Sequence, residues 1–153
     1  MDKTILITGQ PTTNYPNGVE VSAKLALKSK TLSDTIEDFG GVDVVTNLPI
    51  NIENQTNDDV ALVFQYMAFL EDYLEKNPVP EGGEKETSEE RGKLKPWEDQ
   101  FFNKISMKSL FNFILISNYL AIKPTLDAGS KRVANMIKGK TADEIRKTFA
   151  ITE

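Results

Sequence analysis

The chain has neither cysteine nor histidine among its 153 residues. The absence of cysteine excludes a disulfide framework and a thiol nucleophile. The absence of histidine removes the usual general base, the usual partner of a nucleophilic serine and the most common zinc ligand. Ser29 and Ser33 lie near carboxylates in the sequence, but no base accompanies them. We therefore predict that the protein is not an enzyme and has no catalytic residue, no metal ligand and no cofactor.

A long hydrophobic run is also missing. No stretch approaches about 18 consecutive apolar residues, the length that a membrane-spanning helix requires. A secretory signal begins with a basic stretch that is followed by an apolar one, and the sequence that starts Met1–Thr4 does not have this pattern. These two absences favour a location in the cytoplasm and nucleus and predict no membrane partner.

Positive charge is in the minority, with 18 lysine and arginine residues against 23 aspartate and glutamate residues and a net charge of −5. Phosphate binding needs clustered cations, so this balance argues against a nucleic-acid partner. The hydrophobic content of 39% suits one folded domain with its own core.

Apolar residues are missing altogether between Glu81 and Lys93. The surrounding tract, residues 77–95, contains two prolines and a charged run from Glu84 to Arg91. A segment without apolar anchors gains little by packing on a core, so we predict a mobile loop. Its carboxylates lack the regular spacing of a calcium-binding loop and are not predicted to hold a metal.

The N-terminal region has the pattern of a small sheet. Residues Thr4–Thr8 have strand composition, and residues Val19–Ser22 alternate between apolar and polar. The connection between them is rich in asparagine, proline and glycine, which favour turns. The two strands are therefore predicted to form a β-hairpin with a long loop.

A short helix and a third strand are predicted to follow the hairpin. Thr31 or Ser33 can cap the helix, and Gly40 and Gly41 can end it. The valine-rich residues 42–45 are predicted to complete the sheet as its third strand.

Two longer helices form the rest of the predicted body. Asp58 and Asp59 suit the positive end of the first helix. Its apolar residues recur every three or four positions and predict one buried face: Val60, Val63, Phe64, Met67, Leu70 and Leu74. The second helix, residues 109–122, is apolar on two faces and is therefore predicted to be central. One face carries Leu110, Phe113, Ile114, Ser117 and Leu120, and the other carries Phe111, Leu115 and Ile122.

Signals for a helix end and a helix start lie close together near the C-terminus. Gly139 follows an apolar helical stretch, and glycine at that place closes a helix. Thr141 and Glu144 have the spacing of a capping box, so a new helix is predicted to begin there. Ile145 and Phe149 share one face of this helix, which needs a packing partner because so short a helix is marginal alone.

The stretch from Val133 to Phe149 resembles, nearly residue for residue, the S-phase kinase-associated (Skp) adaptor family. The resemblance extends to an asparagine-tyrosine-leucine signature at residues 118–120 and to the segment that starts at Trp97. Members of this family join a cullin to F-box proteins in SCF ubiquitin ligases. The resemblance implies an α+β protein with the BTB/POZ fold over residues 1–123 and additional C-terminal helices over residues 124–153.

The resemblance also implies two partner-binding surfaces. The cullin-binding surface would contain Asn118, Tyr119 and Ile122. The F-box-binding surface would contain Met136, Ile137, Ile145, Phe149 and Ile151. Ala121 stands where the family usually has an acidic residue, and Ala142 stands where it usually has a proline. The proline hydroxylation that regulates some protist relatives therefore cannot occur at that position.

Two alternatives share the same fold. An elongin-C-like adaptor would also bind a cullin, although that family ends near the central apolar helix and this chain continues beyond it. A self-associating BTB/POZ module would form a homodimer through the F-box surface. Family members continue past the pair matched by Phe149 and Ile151, whereas this sequence ends at Glu153. We therefore expect it to hold F-box proteins incompletely.

Deletion of residues 82–91 is expected to change the melting temperature by little, because a charged segment without apolar anchors makes few native contacts. Differential scanning calorimetry of the deletion variant beside the full chain measures the effect. Strong hydrogen-exchange protection throughout the segment would contradict this prediction.

Overall fold

The computed structural model describes residues 3–50, 55–77 and 94–149, without the side chains of residues 148 and 149. Within these ranges the strands are β1 (Thr4–Thr8), β2 (Val19–Ser22) and β3 (Asn47–Pro49). The helices are α1 (Ala23–Ala26), α2 (Lys30–Asp38), α3 (Asn57–Lys76), α4 (Pro96–Asn103), α5 (Met107–Leu120), α6 (Lys123–Ile137) and α7 (Ala142–Phe149). The predicted mobile loop at 77–95 falls almost wholly outside the described residues, which include only its two ends.

The N-terminal sheet contains the predicted hairpin and one further strand. β1 pairs antiparallel with β2, so that Ile5 lies opposite Val21 and Ile7 lies opposite Val19. All four side chains are buried, which shows that one face of the hairpin packs on the core. β3 pairs parallel with the other edge of β1, and the strand order is β2-β1-β3.

The predicted position of the third strand was wrong. Residues 42–45 form a turn, in which the amide of Val45 donates to the carbonyl of Gly41 at 3.1 Å. Gly40 and Gly41 have φ angles of 107° and 96°, a region that favours glycine, so the chain leaves α2 through a turn before it reaches the sheet. The strand is β3, where Leu48 supplies the buried side chain.

The start of α2 also differs from the prediction. Its N-cap is Ser29, whose hydroxyl oxygen accepts a hydrogen bond from the amide of Leu32 at 3.1 Å. Thr31 and Ser33 lie inside the helix. Ser29 is fully buried and its hydroxyl contacts the end of α5, so tertiary packing places the cap at Ser29 and not at either predicted residue.

α3 carries the main apolar stripe, as predicted. Thr56 is its N-cap, and Asp58 and Asp59 lie in its first turn, near the positive end of the helix dipole. Leu74 is 43% exposed because burial decreases over the last turns of the helix. The buried part of the predicted stripe consists of Val60, Val63, Phe64 and Met67.

A buried polar residue, Asn57, joins the hairpin loop to the start of α3. Its Oδ1 atom accepts from the amide of Gly9 at 2.7 Å, and its Nδ2 atom donates to the carbonyl of Tyr15 at 2.9 Å. A buried amide that is bonded at both ends avoids the cost of an unsatisfied polar group. No local pattern predicts this role, because the partners lie 48 and 42 positions away in the sequence.

An aromatic cluster joins α3, α4 and α5. The ring centroid of Tyr66 lies 5.1 Å from that of Trp97 and 5.8 Å from that of Phe113. The Tyr66 hydroxyl donates to one carboxylate oxygen of buried Glu98 at 2.6 Å, and the other oxygen accepts from the amide of Lys95 at the start of α4. Burial, together with this hydrogen bond, raises the pKa of Tyr66, so the phenol remains a proton donor. The cluster fixes α4 against the two longer helices.

These features confirm the predicted α+β class, with the helices segregated from a small sheet. In the part of the chain that the structure describes, no helix has both the length and the apolar character needed to cross a membrane. The same residues contain no group of three acidic side chains placed to hold a metal ion.

Candidate partner-binding surfaces

α5 is the central helix of the body, as its two apolar faces predicted. Its N-cap is Ser106, whose hydroxyl accepts from the amide of Ser109 at 3.1 Å, so the helix begins earlier than predicted. Phe113, Ile116 and Leu120 are each 0% exposed. This buried face packs on α3 and α6 and holds the helix within the body.

The C-terminal half of α5 presents apolar side chains on its other face. Leu115 and Tyr119 lie one turn apart and are 55% and 43% exposed. Phe111, one turn before Leu115, is half-buried, and Asn118 is exposed beside Tyr119. The structure therefore brings together two of the three residues predicted to bind a cullin and adds Leu115 to them. The four-residue spacing of Leu115 and Tyr119 was the sequence signal for this shared face.

A residue in the left-handed conformation closes α5. Ala121 has a φ of 54°, and its amide donates to the carbonyl of Asn118 at 3.2 Å. The following amide, that of Ile122, donates to the carbonyl of Ser117 at 3.0 Å. Together these two bonds form a Schellman motif, which satisfies carbonyl groups that the helix itself leaves without partners.

Ile122, which was predicted to belong to the cullin-binding surface, has a side chain that is 0% exposed. The residue that follows the left-handed position of a Schellman motif commonly packs back on the last turn of the helix. Ile122 occupies this position and lies in the core. It therefore anchors the end of α5 from the inside and is not part of the exposed surface.

The start of α2 binds the same helix end from another side. The hydroxyl of Ser29 donates to the carbonyl of Leu120, and the hydroxyl of Thr31 donates to the carbonyl of Tyr119 at 2.9 Å. These pairs are separated by 91 and 88 positions in the sequence, so no local pattern predicted them. Tertiary structure thus joins α2 to the helix end that carries Tyr119.

Two further exposed apolar side chains lie at the other end of α2. Phe39 is 68% exposed and Val44 is 64% exposed. Thr31, Thr35 and Phe39 follow one another at four-residue steps and therefore lie along one side of α2. Phe39 lies about 12 Å along the helix axis from Thr31, given a rise of about 1.5 Å per residue. The exposed apolar residues of α5 therefore have a second exposed apolar group, Phe39 and Val44, beside them at the end of α2.

α6 packs closely on α5 through a glycine. A Cβ atom at Gly129 would lie 2.6 Å from Cγ1 of Ile114, so a larger residue would force the two helices apart. Arg132 donates to Oδ1 of Asn103 at 2.8 Å and pairs with Asp99 at 3.6 Å, which joins α6 to α4 as well. α6 is therefore attached firmly to the body.

The predicted F-box-binding residues fall partly within the described structure. Met136 and Ile137 at the end of α6 and Ile145 in α7 are half-buried. The side chain of Phe149 and the whole of Ile151 lie outside the described residues. The three described residues each retain apolar area in contact with water.

The predicted helix stop and start are confirmed. Gly139 has a φ of 76° just beyond the end of α6. The amide of Glu144 donates to the hydroxyl oxygen of Thr141 at 3.2 Å, and the amide of Thr141 donates to the Glu144 carboxylate at 3.4 Å. This capping box begins α7 and places Ile145 in its first half.

A cleft of about 550 Å³ between α3 and α4 lies apart from the predicted surfaces. Aromatic rings line much of it, including those of Tyr73, Trp97 and Phe101. Phe69 also lines the cleft and is 54% exposed. Phe69 follows Met67 by two residues, so it falls outside the buried stripe of α3, and the helical period could have revealed its exposure.

The chain is similar to subunits of ubiquitin ligases over most of its length. It is 38% identical over 132 residues to the SCF ubiquitin ligase complex protein SKP1b of Dictyostelium discoideum, which covers 86% of this chain and 76% of that protein. It is 36% identical over 140 residues to the E3 ubiquitin ligase complex SCF subunit sconC of Emericella nidulans, covering 92% of this chain and 81% of that protein. It is 35% identical over 134 residues to the suppressor of kinetochore protein 1 of Schizosaccharomyces pombe, covering 86% of this chain and 77% of that protein. The chain belongs to the Skp1 family.

The Skp1-family assignment confirms the resemblance found in the sequence. Residues 123–153 match the family model described as "Skp1 family, dimerisation domain". The described part of this region contains α6 and α7, which lie beyond the central helix α5. The match therefore favours the Skp family over the elongin-C-like alternative.

Replacement of Ala121 by glycine is expected to raise the free energy of unfolding of this Skp1-family protein by about 0.5–1 kcal/mol. The Cβ atom of alanine disfavours a φ of 54°, whereas glycine adopts that conformation freely. Urea denaturation measures the change. The control is Ala68→Gly at an exposed site inside α3, where the same substitution is expected to lower stability by about 1 kcal/mol. Equal destabilisation by both changes would refute the argument.

Proposed function

We propose that this Skp1-family protein is the adaptor subunit of an SCF-type ubiquitin ligase and bridges a cullin scaffold to F-box substrate receptors. The observation that carries the proposal is similarity, across 86% of the chain, to a protein named as an SCF ubiquitin ligase complex protein. A second relative, aligned over 92% of the chain, is named as an SCF subunit. The proposed role is binding and not catalysis, and its proposed location is the cytoplasm and nucleus.

An adaptor must hold its two partners in a fixed geometry. In this protein the two proposed surfaces belong to α5 and to the α6–α7 region. Gly129 brings α6 close to Ile114 of α5, and Arg132 joins α6 to α4. Densely packed helices keep their positions relative to one another, because protein interiors have low compressibility. This packing supports a role in which the orientation of one partner is set relative to the other.

The proposed cullin-binding surface consists of Asn118, Tyr119 and Leu115. Tyr119 offers a rigid aromatic ring and a hydroxyl group, and tyrosine is common among the residues that dominate interface energies. One tyrosine cannot supply the roughly 800 Å² that each partner buries in a stable interface. Phe39 and Val44, both largely exposed on the neighbouring α2 region, are therefore proposed to extend the same surface.

The proposed F-box-binding surface consists of Met136, Ile137 and Ile145, together with the predicted Phe149 and Ile151. The three described residues are half-buried on α6 and α7. A short helix with partly exposed apolar residues is stabilised when a partner covers those residues. Ile145 is the residue best suited to test this surface by substitution, because its neighbours in α7, Glu144 and Arg146, are both exposed.

Self-association through the same C-terminal surface is the second candidate function. It is favoured by the description of the matched family model as a dimerisation domain. Light scattering over a range of concentrations distinguishes the two. A monomer under the conditions of F-box binding supports the adaptor role alone, whereas a dimer that an F-box protein dissociates shows that both functions use one surface.

Substitution of Tyr119 by alanine, alone or with Asn118→Ala, is expected to weaken cullin binding by more than about tenfold, or about 1.4 kcal/mol. The physical reason is the loss of an exposed aromatic anchor at the end of α5. Isothermal titration calorimetry with a cullin N-terminal domain measures the affinity. Phe69→Ala removes an exposed aromatic ring from the cleft between α3 and α4 and serves as the control. An unchanged cullin affinity in the double variant would remove Asn118 and Tyr119 from the surface.

Substitution of Ile145 by alanine is expected to weaken F-box binding by more than about fivefold, because it removes apolar area from the proposed contact. Alanine preserves the helical propensity of α7, so the change tests contact and not folding. Lys147→Ala alters an exposed residue of the same helix and is the matched control. Titration of one F-box protein against the three chains gives the result, and cullin affinity should stay constant throughout. Equal F-box affinities would place the contact elsewhere.

A further inference from the structure

The carbonyl groups of Tyr119 and Leu120 lie at the end of α5, where a helix has no amides of its own to offer them. The Schellman bonds at this end satisfy the carbonyls of Ser117 and Asn118 instead. The remaining two carbonyls accept hydrogen bonds from side chains of the distant helix α2. The helix end is therefore held by residues outside α5.

Ser29 has two tasks at this contact. Its hydroxyl oxygen accepts from the amide of Leu32 and so caps α2, while its proton is donated to the carbonyl of Leu120. Ser29 is 0% exposed, so water cannot replace either partner without opening the core. One buried hydroxyl thus connects the start of α2 to the end of α5.

Thr31 makes only the contact with the end of α5. Its hydroxyl donates to the carbonyl of Tyr119 at 2.9 Å, and it does not cap α2, because Ser29 occupies that position. Removal of the Thr31 hydroxyl therefore eliminates a contact with α5 and leaves the N-cap of α2 in place. Thr35 provides a natural comparison, since its hydroxyl donates at 2.9 Å to the Thr31 carbonyl within α2 itself.

We propose that Ser29 and Thr31 are positioning residues for the cullin-binding surface. They hold the backbone of Tyr119 and Leu120 so that the side chains of Asn118 and Tyr119 point outward from a fixed helix end. The inference rests on the proposed function of that surface. Neither hydroxyl needs to touch the partner for this role.

The conformation of Ala121 makes such support necessary. A left-handed φ is disfavoured for a residue with a Cβ atom, and helix ends fray readily when nothing holds them. A frayed end would present Tyr119 in many orientations, and binding would then have to order it. Contacts that order a surface before binding reduce this entropic cost.

The test compares four chains: the unaltered protein, Thr31→Val, Thr31→Ser and Thr35→Val. Valine keeps the branched shape of threonine and removes the hydroxyl, whereas serine restores the donor. Two quantities are measured, namely cullin affinity by calorimetry and the exchange rates of the Ala121 and Ile122 amides in the free protein. The amide measurement does not depend on a cullin.

Thr31→Val is expected to weaken cullin binding at least about threefold, since the hydrogen bond from the Thr31 hydroxyl to the carbonyl of Tyr119 is lost. The Ala121 and Ile122 amides should exchange faster in the same variant, while amides in the buried part of α3 keep their rates. Thr31→Ser should restore both quantities, and Thr35→Val should leave the exchange rates of the two amides unchanged.

Equal cullin affinity in Thr31→Val and the unaltered protein would overturn the inference, whatever the amides show. An effect of Thr35→Val on the Ala121 and Ile122 amides as large as that of Thr31→Val would also overturn it, because the faster exchange would then reflect α2 in general. The proposed surface itself is judged separately by Tyr119→Ala. If that variant binds cullin normally, the surface assignment fails, and faster exchange in Thr31→Val would then report only a structural role.

Discussion

The closure of α5 at its C-terminal end is the constraint on which the proposed cullin-binding surface of this protein depends. α5 is buried along one face, so its last carbonyl groups lie at the edge of the core and need partners there. Two are satisfied within the Schellman motif, and two by the hydroxyls of Ser29 and Thr31. Ala121 reverses the chain and Ile122 returns to the core, from which α6 begins. The exposed position of Tyr119 follows from this closure.

The remainder of the body keeps that helix in place. The aromatic cluster around Tyr66 packs α4 against α3 and α5, and the bond from Tyr66 to buried Glu98 satisfies a carboxylate that also caps α4. Gly129 allows α6 to approach α5 without a side chain between them. In the proposed adaptor role, the structure holds two surfaces at a fixed spacing. Dense packing and satisfied buried polar groups provide that rigidity.

Hydrogen bonds between residues distant in sequence join the N-terminal region of the domain to its helices. The partners of Ser29 and Thr31 lie 91 and 88 positions later in the sequence, and Asn57 bridges 48 positions to Gly9. Contacts of such long range form only when the hairpin region and the helical region are both folded. The surface around Tyr119 is therefore a property of the whole domain and not of α5 alone.

The sequence by itself determined what local chemistry controls. Alternation predicted the hairpin, helical spacing predicted the stripe of α3, and Thr141 with Glu144 predicted the start of α7, because each signal acts within a few residues. The family signature also pointed to Asn118 and Tyr119. Tertiary structure decided the rest. It placed the third strand beyond the turn at Gly41, selected Ser29 as the cap of α2 and buried Ile122, since pairing partners and burial come from parts of the chain that are distant in sequence.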